Sequence, residues 1–182
     1  GALRICMTRL PGLSCAGGAG KAQVRLALAW LAKFHSLHWG HARADEAVQS
    51  GLHCEGCYWN LDSRRLELSR THTEGLDGRL RLAASALDTR LKADPMQTIC
   101  HGDPKDANII DAEDGSIGFC DFQWVGKAPP TKDVAYLLAC GSEILNPEEE
   151  ELCLAHYFDA LATHLSAQCD TVPHFDHFRE SY

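Results

Sequence analysis

Asp103, Asn108 and Asp121 constrain this chain more than any other residues. They lie in two runs, His101-Gly-Asp103-Pro-Lys105-Asp-Ala-Asn108 and Asp121-Phe-Gln-Trp124. Between the runs, extended segments Asn108–Asp111 and Ile117–Phe122 flank Asp111-Ala-Glu-Asp114-Gly115-Ser116, and Asp-Gly is a hairpin signal. A strand entering Asp103 and a hairpin leading to Asp121 would bring both carboxylates to one edge. Asn108 opens the first hairpin strand on that edge. Two acids and an amide offer hard oxygen atoms, and magnesium takes one or two such ligands from protein and completes its shell with water and phosphate. The pattern reads as a phosphoryl-transfer loop. Asp103 is placed to accept a hydroxyl proton, Asn108 and Asp121 to hold magnesium, and Lys105 to reach the transferring phosphate.

The surrounding sequence is mostly helical. From Lys21 to Trp39, residues Val24, Ala27, Leu28, Leu31, Phe34 and His35 recur at helical spacing, and Gly40 ends the run. His35, His38 and His41 repeat every three residues, but no carboxylate lies near them in sequence. They read as core or capping histidines rather than metal ligands. Residues 42–75 are polar and irregular, with room for two short helices. A second periodic segment, Leu76–Lys92, places Leu80, Leu82, Ala83, Ala86, Leu87 and Leu91 on an apolar side, and Asp94-Pro95 stops it. Gln97–Cys100 is a short extended run. One helix is expected after Asp133. Another starts at Asn146-Pro147-Glu148, where Asn caps, Pro fits the first turn and the acids suit the helix dipole. Gly20-Lys21 does not make a Walker A loop, because Cys15 and Ala22 stand where that motif needs Gly and Ser or Thr.

The net charge of −8 argues against a phosphate-seeking nucleic-acid surface, and no apolar run reaches the length of a membrane span. Nine cysteines, an odd number scattered partly through apolar runs, point to a reducing, cytoplasmic setting rather than a disulfide framework. Cys54-Glu-Gly-Cys57 beside His53 has metal-ligand spacing, but no second pair follows to complete a zinc site.

These runs resemble the catalytic loop and metal-binding segment of protein-kinase-like folds. His101-Gly-Asp103 is closer to the aminoglycoside phosphotransferase and choline-kinase group than to the His-Arg-Asp of protein kinases. Leu28-Ala-Trp-Leu-Ala-Lys-Phe-His35 is similar to a helix of the ecdysteroid-kinase-like (CHK kinase-like) branch. The resemblance implies an ATP- and magnesium-dependent enzyme acting on the hydroxyl of a small molecule. In it Asp103 is the base, Lys105 a phosphate contact, and Asn108 and Asp121 the metal ligands. Ile110 and Cys120 form the floor under the adenine, while His101 and Asp133 support the loop. Only eleven residues separate Asp121 from Asp133, too few for the activation segment that serves a protein substrate. No Gly-rich phosphate loop or strand Lys is found.

The implied fold is α+β and mostly helical, the C-terminal lobe of a protein-kinase-like fold with a small β-hairpin carrying the catalytic loop. Residues 1–20 would be the hinge strand and its loop, and 21–182 the lobe itself. The N-terminal lobe, absent here, would be required for activity. A truncated, non-catalytic pseudokinase or binding module stands as the alternative, with a redox or zinc module around His53, Cys54 and Cys57 as a third reading.

Overall fold

The computed structural model describes residues 11–140 and 145–182. The expected hinge strand at residues 1–10 lies outside them. Its core forms where helix α1 (Lys21–Ser36) packs on helix α6 (Pro147–Ala167). Val24, Ala27, Leu28, Leu31 and Ala32 recur every three or four residues on α1 and are buried against Leu154, Tyr157, Leu161 and Leu165 of α6. The start of α6 follows from its sequence. Asn146 Oδ1 accepts the Glu149 N–H at 2.9 Å, and Glu149 Oε2 accepts the Asn146 N–H at 3.1 Å. This reciprocal cap satisfies two donors that a helix end leaves open. Helix α7 (Phe175–Ser181) closes the core by stacking Phe178 on Tyr157, and α5 (Thr131–Cys140) adds Val134 and Leu137.

Two small antiparallel sheets lie beside this helical layer. One has the order β1 (Leu13–Ser14), β3 (Ile109–Asp111), β4 (Ile117–Phe119), with Ile109 opposite Phe119 and Ile110 opposite Gly118. Side chains alternate across a strand. Ile109 and Phe119 therefore enter the core, while Ile110 and, two residues beyond Gly118, Cys120 share the opposite face. The other sheet pairs β2 (Thr98–Cys100) with β5 (Gly126–Ala128). Helix α2 (His41–Gln49) covers it with Ala44 and Ala47 against Ile99.

The predicted elements largely form, with shifted ends. Helix α1 stops at Ser36 instead of Trp39, α5 starts at Thr131, and the second hairpin strand stops at Phe119. Asn108 sits in a 3₁₀ turn, Asp106–Asn108, immediately before β3. Strand β1 falls in a segment that reads as loop, and β5 carries no sequence signal, since both are too short for a period to show. The two short helices for which residues 42–75 left room form as α2 and α3 (Arg65–Arg70), and α4 (Gly75–Lys92) forms in its expected range but is largely uncovered. The leucine periodicity of α4 predicts a core-facing side, yet only Gly78 of that helix is buried, and Leu82 is 86% exposed. No described helix is long and apolar enough to cross a membrane.

Candidate active site

Strand β2 runs straight into His101-Gly102-Asp103, and β4 into Cys120-Asp121. His101 fastens the two segments together. Its Nε2–H donates to the Cys120 carbonyl at 3.0 Å, and its Nδ1 accepts the Asp103 N–H at 3.2 Å. These partners require the neutral tautomer with the proton on Nε2. Burial pushes the imidazole pKa down in the same sense. The ring packs on Phe119 and Phe122, with centroids 5.2 and 4.5 Å away.

Gly102 lets the loop turn. Its φ is +89°, and a Cβ there would come within 2.3 Å of the Trp124 carbonyl oxygen and 2.9 Å of the Cys57 nitrogen. The Gly102 carbonyl in turn accepts the Tyr58 N–H at 2.7 Å, tying the loop to residues 57–59.

Asp133 holds the loop from beneath. Its Oδ2 accepts the His101 N–H at 2.7 Å and its Oδ1 the Gly102 N–H at 2.9 Å. His35 Nε2–H donates to Oδ2 at 3.1 Å, while His35 Nδ1 lies 2.7 Å from the Tyr157 hydroxyl. Burial alone would raise the Asp133 carboxyl pKa. The His35 hydrogen bond, the charge interactions with His35 and His101, and the Gly102 N–H outweigh it, so the pKa lies below the usual carboxylate value. Sequence reasoning found no carboxylate for His35, because its partner is contributed by a distant helix. His35, Cys100 and Asp133 are close enough together to suggest a metal, but the hydrogen bonds already occupy His35 and Asp133. Among the described residues, no third ligand joins Cys54 and Cys57.

Asp103 is 1% exposed. Its Oδ2 accepts from Lys105 Nζ at 2.7 Å and from Asn108 Nδ2 at 3.1 Å, while its own carbonyl accepts the same Asn108 amide at 2.8 Å. Its Oδ1 is buried and has no hydrogen-bond partner. Lys105 is thus drawn onto Asp103, and that hydrogen bond holds its pKa above the ordinary lysine value. With Nδ2 committed to Asp103, Asn108 has its side-chain oxygen left to offer. Asp121 is exposed and left-handed, with φ +63°, a conformation Asp tolerates better than most residues. Among the described residues it makes no ion pair. The oxygens of Asn108 and Asp121 fit a hard divalent cation such as magnesium better than a soft metal. Ile110 and Cys120 are half-buried on the outer face of the hairpin, and Cys120 N–H donates to the Asn108 carbonyl at 3.0 Å. All eight residues singled out in the sequence therefore cluster around the β2–loop–β3–β4 unit.

A sequence model of the Phosphotransferase enzyme family (APH) matches residues 2–167. No curated protein matches the chain. Among solved structures, macrolide 2'-phosphotransferase MphH from Brachybacterium faecium aligns over 88% of this chain at 18% identity, with a TM-score of 0.54. An aminoglycoside-3'-phosphotransferase of type VIII aligns over 93% at 19% identity, with a TM-score of 0.50. The chain spans 58% and 63% of those two proteins. These likenesses concern the fold.

Proposed function

The chain belongs to the phosphotransferase enzyme family, and from that premise we propose that it transfers the γ-phosphoryl group of ATP to a hydroxyl of a small molecule. The observation that carries this reading is Asp103 Oδ1, buried and unpartnered beside an Oδ2 that is fully engaged. A buried acceptor without a donor is costly, and an incoming hydroxyl would supply the missing donor. On this reading Asp103 orients the hydroxyl and takes its proton as the acceptor oxygen bonds to the γ-phosphorus. The bond from that phosphorus to the β,γ-bridging oxygen breaks, and ADP departs with its electron pair. Because such transition states are loose, positioning outweighs basicity. The hydrogen bonds that His101 and Asn108 make to the loop, and those that the Asp133 carboxylate accepts from its main chain, serve that positioning.

Lys105 would exchange its contact with Asp103 for one with the transferring phosphate. Magnesium held by Asn108 and Asp121 would neutralise phosphate charge. Ile110 and Cys120 would form the apolar floor under the adenine. Within this proposal residues 1–20 are the hinge strand and loop, 21–182 are the C-terminal lobe with its hairpin-borne catalytic loop, and a separate N-terminal lobe covers the nucleotide.

Calorimetric titration with ATP, with and without magnesium, tests the reading alongside Asp103→Asn and Asp121→Asn. Asp121→Asn should lose the magnesium-dependent part of binding. Asp103→Asn should keep it and transfer phosphate about 10²–10⁴-fold more slowly. Absence of magnesium-dependent binding at millimolar ATP overturns the proposal. Binding without transfer to any alcohol selects the non-catalytic alternative.

A further inference from the structure

Helices α3 and α4 and the loop before them line an open cavity of about 550 Å³, a volume suited to a drug-sized molecule. Trp59, Leu61, Leu68, Leu80, Leu87 and Leu91 supply its apolar wall. Trp59 and Leu80 are each 52% exposed and Leu87 47%, so the leucine stripe of α4 faces this space instead of the core. That explains why a periodic helix buries so little of itself. An apolar surface left open beside a reaction centre marks a binding surface more often than chance.

The cavity is built onto the candidate active site. Its wall begins at Trp59, next to Tyr58, whose N–H is bonded to Gly102 immediately before Asp103. Arg64, also in the lining, lies 3.7 Å over the Tyr58 ring and donates from Nε to the Tyr58 carbonyl at 3.2 Å. Lys132, another lining residue, precedes Asp133.

Charge selects among occupants. The lining holds Arg64, Arg81 and Lys132 against Glu67 and Asp88. Both acids are already paired, Glu67 with Arg64 at 3.2 Å and Asp88 with Lys92 at 2.8 Å. A polycation would find no free carboxylate there to replace its hydration. We propose that this cavity receives the apolar body of the phosphoryl acceptor, a hydroxylated compound without cationic groups. The proposal rests on the phosphotransferase reading above.

Binding of 1-anilinonaphthalene-8-sulfonate, an apolar anion, and of kanamycin, a polycation, to the full chain tests it. Each would be measured with Leu87→Asp, Leu80→Asp and, as a control in a separate apolar pocket, Leu152→Asp. All three leucines are about half exposed or more, and unchanged unfolding midpoints would show that the variants fold. The expected result is saturable binding of the sulfonate, weakened at least tenfold by Leu87→Asp and Leu80→Asp but not by Leu152→Asp, with no binding of kanamycin. A neutral polycyclic alcohol should compete with the sulfonate and accept phosphate from ATP. Loss of sulfonate binding only in Leu152→Asp overturns the assignment, as does tighter binding of kanamycin. A concentration-dependent dimer abolished by Leu87→Asp also overturns it, by showing a second copy in the groove. Phosphate transfer to cationic acceptors alone sinks this inference and spares the phosphotransferase reading. Competition for the cavity without transfer to any alcohol sinks that reading instead.

Discussion

The Asp133 carboxylate accepts the main-chain N–H of His101 at 2.7 Å, so a buried acid on α5 fixes the backbone on which Asp103 is carried. With the Gly102 N–H and His35 Nε2–H also bonded to it, Asp133 accepts three donors from two other parts of the chain.

Asp133→Ala should therefore destabilise the protein by about 3–5 kcal/mol, because it leaves three buried donors unpaired. The folded-state pKa of Asp133 is depressed. Its ionised form thus stabilises the fold above the unfolded-state value of about 3.9, and that contribution is lost as pH falls through the lower folded value. Urea unfolding at neutral pH and near pH 3 should show the gap between the two proteins narrowing in acid. A gap of less than about 1 kcal/mol at neutral pH, or one that widens in acid, contradicts this role.

Gly102→Ala should be among the most damaging small substitutions. A left-handed backbone costs a non-glycine residue roughly 1–2 kcal/mol, and here the added Cβ also meets the Trp124 carbonyl at 2.3 Å. Backbone on both sides prevents an inexpensive escape. A total loss above about 3 kcal/mol is expected from chemical denaturation. Near-neutral stability would mean that the loop has another way to turn.

Tyr157→Phe isolates one bond of the network below the loop. The hydroxyl lies 2.7 Å from His35 Nδ1 with both side chains fully buried. Removing it leaves an unsatisfied ring nitrogen and should cost about 1–3 kcal/mol with little change in packing. Thermal unfolding of the two proteins, side by side, would detect that difference. No change in midpoint would show that His35 finds another donor.

Local pattern, together with the family resemblance, pointed to much of the candidate site and to less of its support. Asp103, Asn108 and Asp121 were legible because the turn Asp114-Gly115 and the flanking apolar runs set a hairpin, and a hairpin puts strand ends together. The α1 stripe was legible because Val24, Ala27, Leu28, Leu31 and Ala32 recur at helical spacing and are buried in one core cluster. The Asp133–His35 contact joins helices far apart in sequence, and no local periodicity encodes it. Helix α4 misled for the opposite reason: its stripe is real, but it faces a cavity.

Leu161→Ala and Leu82→Ala would make that contrast measurable. Both leucines belong to periodic helical segments, yet Leu161 is 0% exposed, and Leu82, on the side of α4 away from the cavity-lining Leu80, Leu87 and Leu91, is 86% exposed. Truncating Leu161 in the α1–α6 seam should cost about 2–5 kcal/mol through lost burial and the cavity left behind. The same change at Leu82 should stay within about 0.5 kcal/mol. Equal costs would mean that α4 is covered in solution.

The thiols should divide by environment. The thiolate, not the thiol, reacts with aromatic disulfide reagents. Burial pushes the Cys57 pKa up to about 11, and it raises that of Cys100 well above its ordinary value, with the Asp133 charge adding to the effect at Cys100. Cys100 Sγ also sits 3.4 Å from the Pro129 carbonyl, and both residues are buried. Cys54, Cys140 and Cys169 are exposed. Among the described thiols, Cys54 and Cys169 should react first at neutral pH, Cys140 more slowly because burial and then the Asp106 and Asp103 charges raise its pKa, and Cys57 and Cys100 only after denaturant is added. Peptide mapping after a short labelling pulse would assign the sites. Early modification of Cys57 would show that the segment 53–59, and with it the support under Gly102, opens far more readily than its hydrogen bonds to Trp124 and Gly102 imply.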